Sequence, residues 1–302
     1  MPARTLTHPL DDISESELAC LARVADPLLA GRPLLNVGQR PSRLRAGQGY
    51  EFLDYQNYAA GENLRNIDWR ATARSRHPQL RRFRDEQTSD WHICLDCSAS
   101  MTIVPGRKWP LAVQLAAVLS YLLLHLGHRV ALLGFNDRCT VLLPSGRGRH
   151  HYARLARILR DTVPVRQGGG SDLLQCVSRI APRHQVIVVS DFLAPQAMQP
   201  TLRRMAAAGC SLQLMHIVDE AELTLSPGTS PVELLDVESL EGRTVTLSDD
   251  VLQSVRQAWQ ALRADLSQFS VKHGIRYTAC NAHAHWKTVV MQHLKGLQTS
   301  HA

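Results

Sequence analysis

From about residue 90 onward, this 302-residue chain predicts an α/β protein, a doubly wound and mostly parallel sheet with helices on both faces. Three observations carry that expectation. Strand-like apolar runs alternate with helix-like runs, the pattern of repeated βαβ units. One run, Val186-Ile187-Val188-Val189, is apolar without a break, as a central parallel strand covered on both faces must be. Two helices carry clear punctuation: Pro195 opens one that Gly209 closes, and Ser248-Asp249-Asp250 opens another that ends at Lys272-His273-Gly274. The preceding segment lacks this regularity. The organisation expected is therefore a short, β-rich or irregular accessory segment over 1–88 and the α/β domain over 89–302.

Taken in order, Ser14-x-x-Glu17 is a capping box that opens a helix running to about Ala30, with Pro27 able to kink it. A basic, poorly periodic stretch follows with Arg40, Arg43 and Arg45, and Tyr58 to Glu62 marks a turn. In the α/β domain, strands are expected near 91–96, 129–135, 139–143, 185–190, 211–218, 232–237 and 275–280. Helices are expected near 108–126, 150–161, 172–181, 195–208 and 249–273. The stretch Trp109–Leu126 approaches the length of a membrane span, but Gln114, Ser120 and His125 interrupt it and strands flank it. A buried helix packed on the sheet explains it better than a span.

Composition narrows the class. Hydrophobic residues make up 44% of the chain, enough for a sizeable core. The net charge of +7 raises the question of nucleic acid, but only four of the 34 basic residues are lysines, an arginine bias that reads as codon composition. The seven cysteines are odd in number, scattered and partly inside apolar runs, as reduced thiols of a cytosolic protein would be. Met1 to Leu10 holds no apolar signal-peptide core. The histidines show no consistent metal-ligand spacing; His283 and His285 come nearest to one.

The chemistry concentrates at strand ends. Ile93-Cys94-Leu95 leads into Asp96-x-Ser98-x-Ser100, which sets one carboxylate and two hydroxyls at the tip of a strand. Such hard oxygen donors suit Mg²⁺ or Mn²⁺. A second strand ends at Ser190-Asp191, and Gly168-Gly169-Gly170-Ser171 lies between the two. In an open parallel sheet these ends share one edge, where ligands bind. Two carboxylates and three hydroxyls roughly neutralise a divalent ion and leave room for an outside carboxylate.

Asp96-x-Ser98-x-Ser100, Ser171 and Asp191 resemble the metal-ion-dependent adhesion site of von Willebrand factor A domains, over roughly residues 90–300. Two positions depart from that pattern: Ser171 stands where threonine is usual, and Phe192 follows Asp191 where glycine is common. Upstream, Gly47-x-Gly49-x-Glu51-Phe52, Tyr58-x-x-Gly61-Glu62, Arg65-x-Ile67-Asp68-Trp69 and Ala73-Arg74 resemble the signature of the domain-of-unknown-function 58 family, with Gln56 at its usual arginine position. That family is mostly bacterial and commonly encoded beside MoxR-type AAA+ ATPases. The resemblance implies a non-enzymatic adaptor that holds Mg²⁺ or Mn²⁺ through Asp96, Ser98, Ser100, Ser171 and Asp191. The ion would grip a carboxylate of such a partner.

Two competing classes remain at this stage. One is a metal-dependent hydrolase or phosphotransferase using the same cluster, although no general base or nucleophile stands out beside it. The other is a nucleic-acid binder using Arg81, Arg82 and Arg84. A dehalogenase-like aspartyl nucleophile would need a second aspartate where Ser98 stands, and the glycine loop lacks the Gly-Lys-Ser/Thr ending of a P-loop. Asp68, Trp69 and the arginines around them fit an ion-paired structural core, or else a docking face for an acidic partner.

Overall fold

The computed structural model describes residues 8–29, 51–59, 64, 67–75, 77–84, 89–103, 107–165, 167, 170–224, 226–228 and 230–299. The chain forms two compact units, one of residues 1–37 with 89–302 and one of residues 38–88. The first helix, α1 (Glu15–Leu29), thus belongs to the larger unit rather than to an accessory segment of 1–88. Its capping box closes as the sequence suggests: Ser14 N donates to Glu17 Oε2 at 2.9 Å and Glu17 N to Ser14 Oγ at 3.2 Å. The reason for its placement is apolar burial, since Leu18, Leu21, Ala22 and Ala25 join the same core as helices far along the chain.

The smaller unit pairs β1 (Glu51–Asn57) with β2 (Gln79–Arg84) in antiparallel register, Tyr55 opposite Arg81 and Gln56 opposite Leu80. Between them lies α2 (Trp69–Thr72). Asp68 caps α2, accepting from the N–H groups of Arg70 at 2.9 Å and Ala71 at 3.2 Å. Its other oxygen accepts the Tyr55 hydroxyl at 3.0 Å. Asp68 is therefore a buried cap tying α2 to β1, whereas Trp69 is 69% exposed. Arg81, Arg82 and Arg84 lie on β2. Gly47, Gly49, Gly61, Glu62 and Arg65 of the signature, and Arg40, Arg43 and Arg45, lie outside the described residues.

The larger unit continues through β3 (Asp90–Asp96), α3 (Lys108–His125), β4 (Arg129–Phe135), β5 (Cys139–Gly146), α4 (Arg149–Asp161) and α5 (Leu174–Val177). Then come β6 (Gln185–Ser190), α6 (Pro195–Ala207), β7 (Ser211–Val218), β8 (Pro231–Leu235) and β9 (Gly242–Thr246). It ends with α7 (Asp249–Lys272), β10 (Arg276–Asn281) and α8 (Trp286–Thr299). The central sheet has the order β10-β7-β6-β3-β4-β5. Every pair is parallel except β4 with β5, whose connection is a tight turn. This is the doubly wound arrangement expected. The winding reverses between β3 and β6, so the crevice at the switch point opens at their carboxyl ends.

Alternation along β3 and β6 splits the core into two layers. Ile93, Leu95, Ile187 and Val189 face one cluster, which α1, α3, α4 and α8 complete. Cys94, Val186 and Val188 face the other, with residues of α5, α6 and α7. Because α3 lies between the sheet and the outer helices, it is buried on nearly every side. Among the described residues no helix is long and apolar enough to cross a membrane.

Three local expectations differ from the structure. The run near 232–237 does not join the main sheet; β8 pairs with β9 in a hairpin whose ten residues are all exposed except half-buried Val245. The helix near 172–181 shrinks to α5, one turn flanked by irregular backbone. His283 and His285 follow the end of β10 rather than sharing a strand face, and His283 Nε2 contacts Asp219 Oδ1 at 2.9 Å.

One core histidine, His293 on α8, gives the unit an acid limit. Its Nδ1 meets Thr278 Oγ1 at 2.8 Å and its Nε2 meets Gln213 Oε1 at 2.6 Å, so the neutral ring satisfies both partners. Burial, helped by the Arg276 charge, depresses it to about 3. The unfolded histidine takes up its proton near pH 6.5 while the folded one resists, so this contribution is complete above pH 6.5 and declines as the pH falls toward 3. Unfolding titrations in urea should show stability falling by about 1.4 kcal/mol per pH unit from this group below pH 6. The variant His293→Gln should flatten that slope.

Candidate metal centre

Asp96 sits at the last position of β3, and the chain turns at Ser98 into a 3₁₀ turn over Ala99–Thr102. Asp96, Ser98 and Ser100 are fully buried. Asp96 Oδ1 accepts from Ser98 N at 2.9 Å. Its Oδ2 accepts two hydroxyls, Ser171 Oγ at 2.8 Å and Ser190 Oγ at 2.6 Å. Ser98 Oγ and Ser100 Oγ lie 2.9 Å apart. The loop that brings Ser171 is tied to the end of β4, where Asp172 N donates to Asn136 O at 2.6 Å. Gly168 and Gly169 of that loop lie outside the described residues.

Asp191 follows the last residue of β6 and is also buried. Phe192 takes the left-handed conformation expected of the glycine it replaces, with φ of 46°. Its N–H donates to Ser190 Oγ at 3.0 Å, and its ring is buried edge-on to His216, with ring centres 5.6 Å apart. The loop thus keeps a glycine-like backbone while the phenyl group packs beneath it.

Four groups that motif reading did not supply complete the surroundings. Lys108, at the first position of α3, is 1% exposed, and its Nζ lies 2.6 Å from Asp191 Oδ2 and 2.7 Å from Glu222 Oε1. Burial opposes its charge, but Asp191 and Glu222 outweigh that and hold its pKa above the ordinary lysine value. His216, on β7, is fully buried; its Nδ1 contacts the Tyr277 hydroxyl at 2.8 Å, and burial lowers it to about 4. Glu238, in the β8–β9 turn, is half-buried, its Oε2 3.5 Å from where a Cβ on Gly170 would lie, next to Ser171. Only Lys108 carried a sequence signal, being one of four lysines in an arginine-rich chain.

The electrostatics are those of crowded acids. Burial, reinforced by the charge of Asp191, lifts Asp96 to about 6. Burial likewise raises Glu222 and Glu238, with Asp191 adding to both. Four carboxylates thus share this edge with one ammonium. The oxygen set fits a hard divalent cation: Asp191 Oδ1 is buried with no hydrogen-bond partner, and the three site hydroxyls converge with Asp96. Among the described residues no group of three or more His, Cys, Asp or Glu side chains is arranged to hold a metal, so serine oxygens must complete any ligand set here.

The larger unit is a doubly wound, mostly parallel sheet with core layers on both of its faces. Among solved structures, the chain is similar to the conserved hypothetical protein BatB of Bacteroides thetaiotaomicron, at 13% identity and a TM-score of 0.43, covering 70% of this chain and all of that one. It is also similar to a von Willebrand factor type A protein of Catenulispora acidiphila, at 14% identity and a TM-score of 0.34, covering 43% of this chain and 33% of that one. In sequence it is 27% identical over 228 residues to an uncharacterized protein of Mycobacterium tuberculosis, covering 74% of this chain and 71% of that protein. Residues 54–268 match the family described as protein of unknown function DUF58, and the chain belongs to that family.

Proposed function

We propose that this protein is a non-enzymatic binding module that engages a protein partner through a divalent cation held by Asp96, Ser98, Ser100, Ser171 and Asp191. The partner class implied by the family's setting is a MoxR-type AAA+ ATPase. The observation that carries this reading is Asp191 Oδ1, a buried carboxylate oxygen with no partner, at the same sheet edge as Asp96 and three serine hydroxyls. When bound, Mg²⁺ or Mn²⁺ would supply positive charge and open coordination positions for a carboxylate from outside.

The chain's own residues prepare that edge. Ser171 and Ser190 orient Asp96 by donating to one of its oxygens, and Ser98 N fixes the other. Lys108 holds Asp191 Oδ2, which leaves Oδ1 as the free donor. His216 lies in the packed layer under Phe192, closed off by the Trp259 and Tyr277 rings, and so supplies no exposed base. That burial favours binding over turnover.

The test is capture of a co-encoded MoxR-type ATPase with and without Mg²⁺, by the native protein and by Asp96→Ala. Mg²⁺ should strengthen capture by the native protein at least about tenfold, as expected when removal of a metal or its orienting groups costs 10–100-fold. The variant should show no such gain. Equal capture in all four conditions would refute the metal bridge, and Asp96-dependent hydrolysis of a phosphoester would assign the site to an enzyme.

A further inference from the structure

We infer that Cys139 and Cys176 are a reversible disulfide site, an oxidative modification that pins the loop carrying Ser171 to the β4–β5 turn. The inference does not depend on a bound cation.

The seven cysteines are free thiols. Three of them use the thiol in the ordinary way, donating to a backbone carbonyl: Cys97 to Leu95 O at 3.5 Å, Cys210 to Ala181 O at 3.6 Å and Cys280 to Thr278 O at 3.4 Å. Cys176 donates instead to a second sulfur, Cys139 Sγ, at 3.1 Å. That separation is about 1 Å longer than a disulfide bond. The fold makes this contact, since the two residues are 37 positions apart. Cys139 opens β5 and is half-buried, whereas Cys176 lies on α5 and is fully buried. The pair thus has one member near solvent and a resolving thiol behind it.

Both ends of the link are anchored. Cys139 pairs with Phe135 across the β4–β5 turn, which Asn136 N closes by donating to Arg138 O at 2.9 Å. On the other side, Cys176 N donates to Leu173 O at 3.0 Å. Asp172 braces the same turn, accepting from Leu174 N at 2.9 Å and from Gln175 Nε2 at 3.1 Å. Ser171, whose hydroxyl reaches Asp96 Oδ2, stands five residues before Cys176. A backbone hydrogen bond, Asp172 N to Asn136 O, already joins the loop to the β4–β5 turn. A bond between the two sulfurs adds a covalent tie between the same two segments.

The oxidant is hydrogen peroxide. The Cys139 sulfur attacks one peroxide oxygen; the O–O bond breaks, Cys139 becomes a sulfenic acid, and its proton leaves with the other oxygen as water. The Cys176 sulfur then attacks the sulfenic sulfur, and the sulfenic oxygen departs as a second water carrying the Cys176 proton. Each sulfur gives up one electron and the peroxide takes both; a dithiol reverses the bond by exchange. The neighbouring sulfur and burial hold the Cys139 thiol above its ordinary value, so little thiolate is present at neutral pH and the first step is slow.

The experiment treats the full-length native protein, Cys139→Ser and Cys176→Ser with hydrogen peroxide, then unfolds and alkylates each. The native protein should lose two of its seven titratable thiols. Peptide mapping should find Cys139 joined to Cys176, and dithiothreitol should restore both thiols. Hydrogen exchange over residues 171–177 should slow on oxidation of the native protein and stay unchanged in Cys139→Ser. If Cys139 and Cys176 fail to join, or if either joins another cysteine, the site is overturned. If they join while exchange over 171–177 is unchanged, the pinning of the loop is overturned and the site stands. Cys139 is half-buried, so serine there leaves the core closed, and the urea midpoint of the untreated variant checks that it folds.

Discussion

Replacing Lys108 with methionine will destabilise the larger unit by about 3–5 kcal/mol, the usual cost of breaking a buried ion pair from one side. The methionine keeps most of the apolar stem, so packing losses stay small. What remains is a pair of acids, Asp191 and Glu222, that lose the ammonium 2.6 and 2.7 Å away. The position of Lys108 supports a role in charge balance rather than in helix formation. A cation at the first residue of α3 opposes the helix dipole, which favours anions there. Urea unfolding at neutral pH measures the loss, and a change below about 1 kcal/mol would refute the pairing. A divalent cation should restore more stability to this variant than to the native protein, because it meets acids that no longer have a counter-charge. At a hundredfold excess over its dissociation constant, binding alone contributes about 2.7 kcal/mol.

Lys108 also marks the limit of what local sequence encodes. The main strands were legible because they are short apolar runs ended by polar or glycine turns. The oxygen donors were legible because they stand at the ends of two such strands. Asp96, Ser98, Ser100, Ser171 and Asp191 therefore follow from local pattern plus the rule that strand ends share an edge. Lys108, Glu222 and Glu238 do not. Each reaches the cluster from a helix start, a turn after β7 or a hairpin tip, and nothing within a dozen neighbouring residues encodes that approach. The same holds for α1, whose capping box is local but whose partners, α3 and α8, lie far along the chain. β8 illustrates the converse error. Val232-Glu233-Leu234-Leu235 has strand propensity, but propensity says nothing about which sheet receives it, and an exposed hairpin can use it as well as a core can. Phe192 stands where the motif commonly has glycine, and its large side chain holds a glycine-like backbone.

Phe192 sets up an inverted ranking of substitutions. The left-handed conformation at φ of 46° costs a non-glycine residue about 1–2 kcal/mol. The buried ring, in the same core cluster as Cys94, Val188 and Met198 and edge-on to His216, offsets that cost. Phe192→Ala removes the ring but keeps the Cβ and its strain, so it should destabilise the unit by about 3–5 kcal/mol. Phe192→Gly removes both, so it should be about 1 kcal/mol less damaging than alanine. Elsewhere in a folded chain glycine is commonly the worse of the two. Urea unfolding of both variants decides the matter, and alanine equal to or better than glycine would mean that the backbone after Asp191 is not left-handed. Under the metal-binding proposal, the variant that better keeps the loop next to Asp191 should also bind Mn²⁺ more tightly, so glycine should exceed alanine there as well.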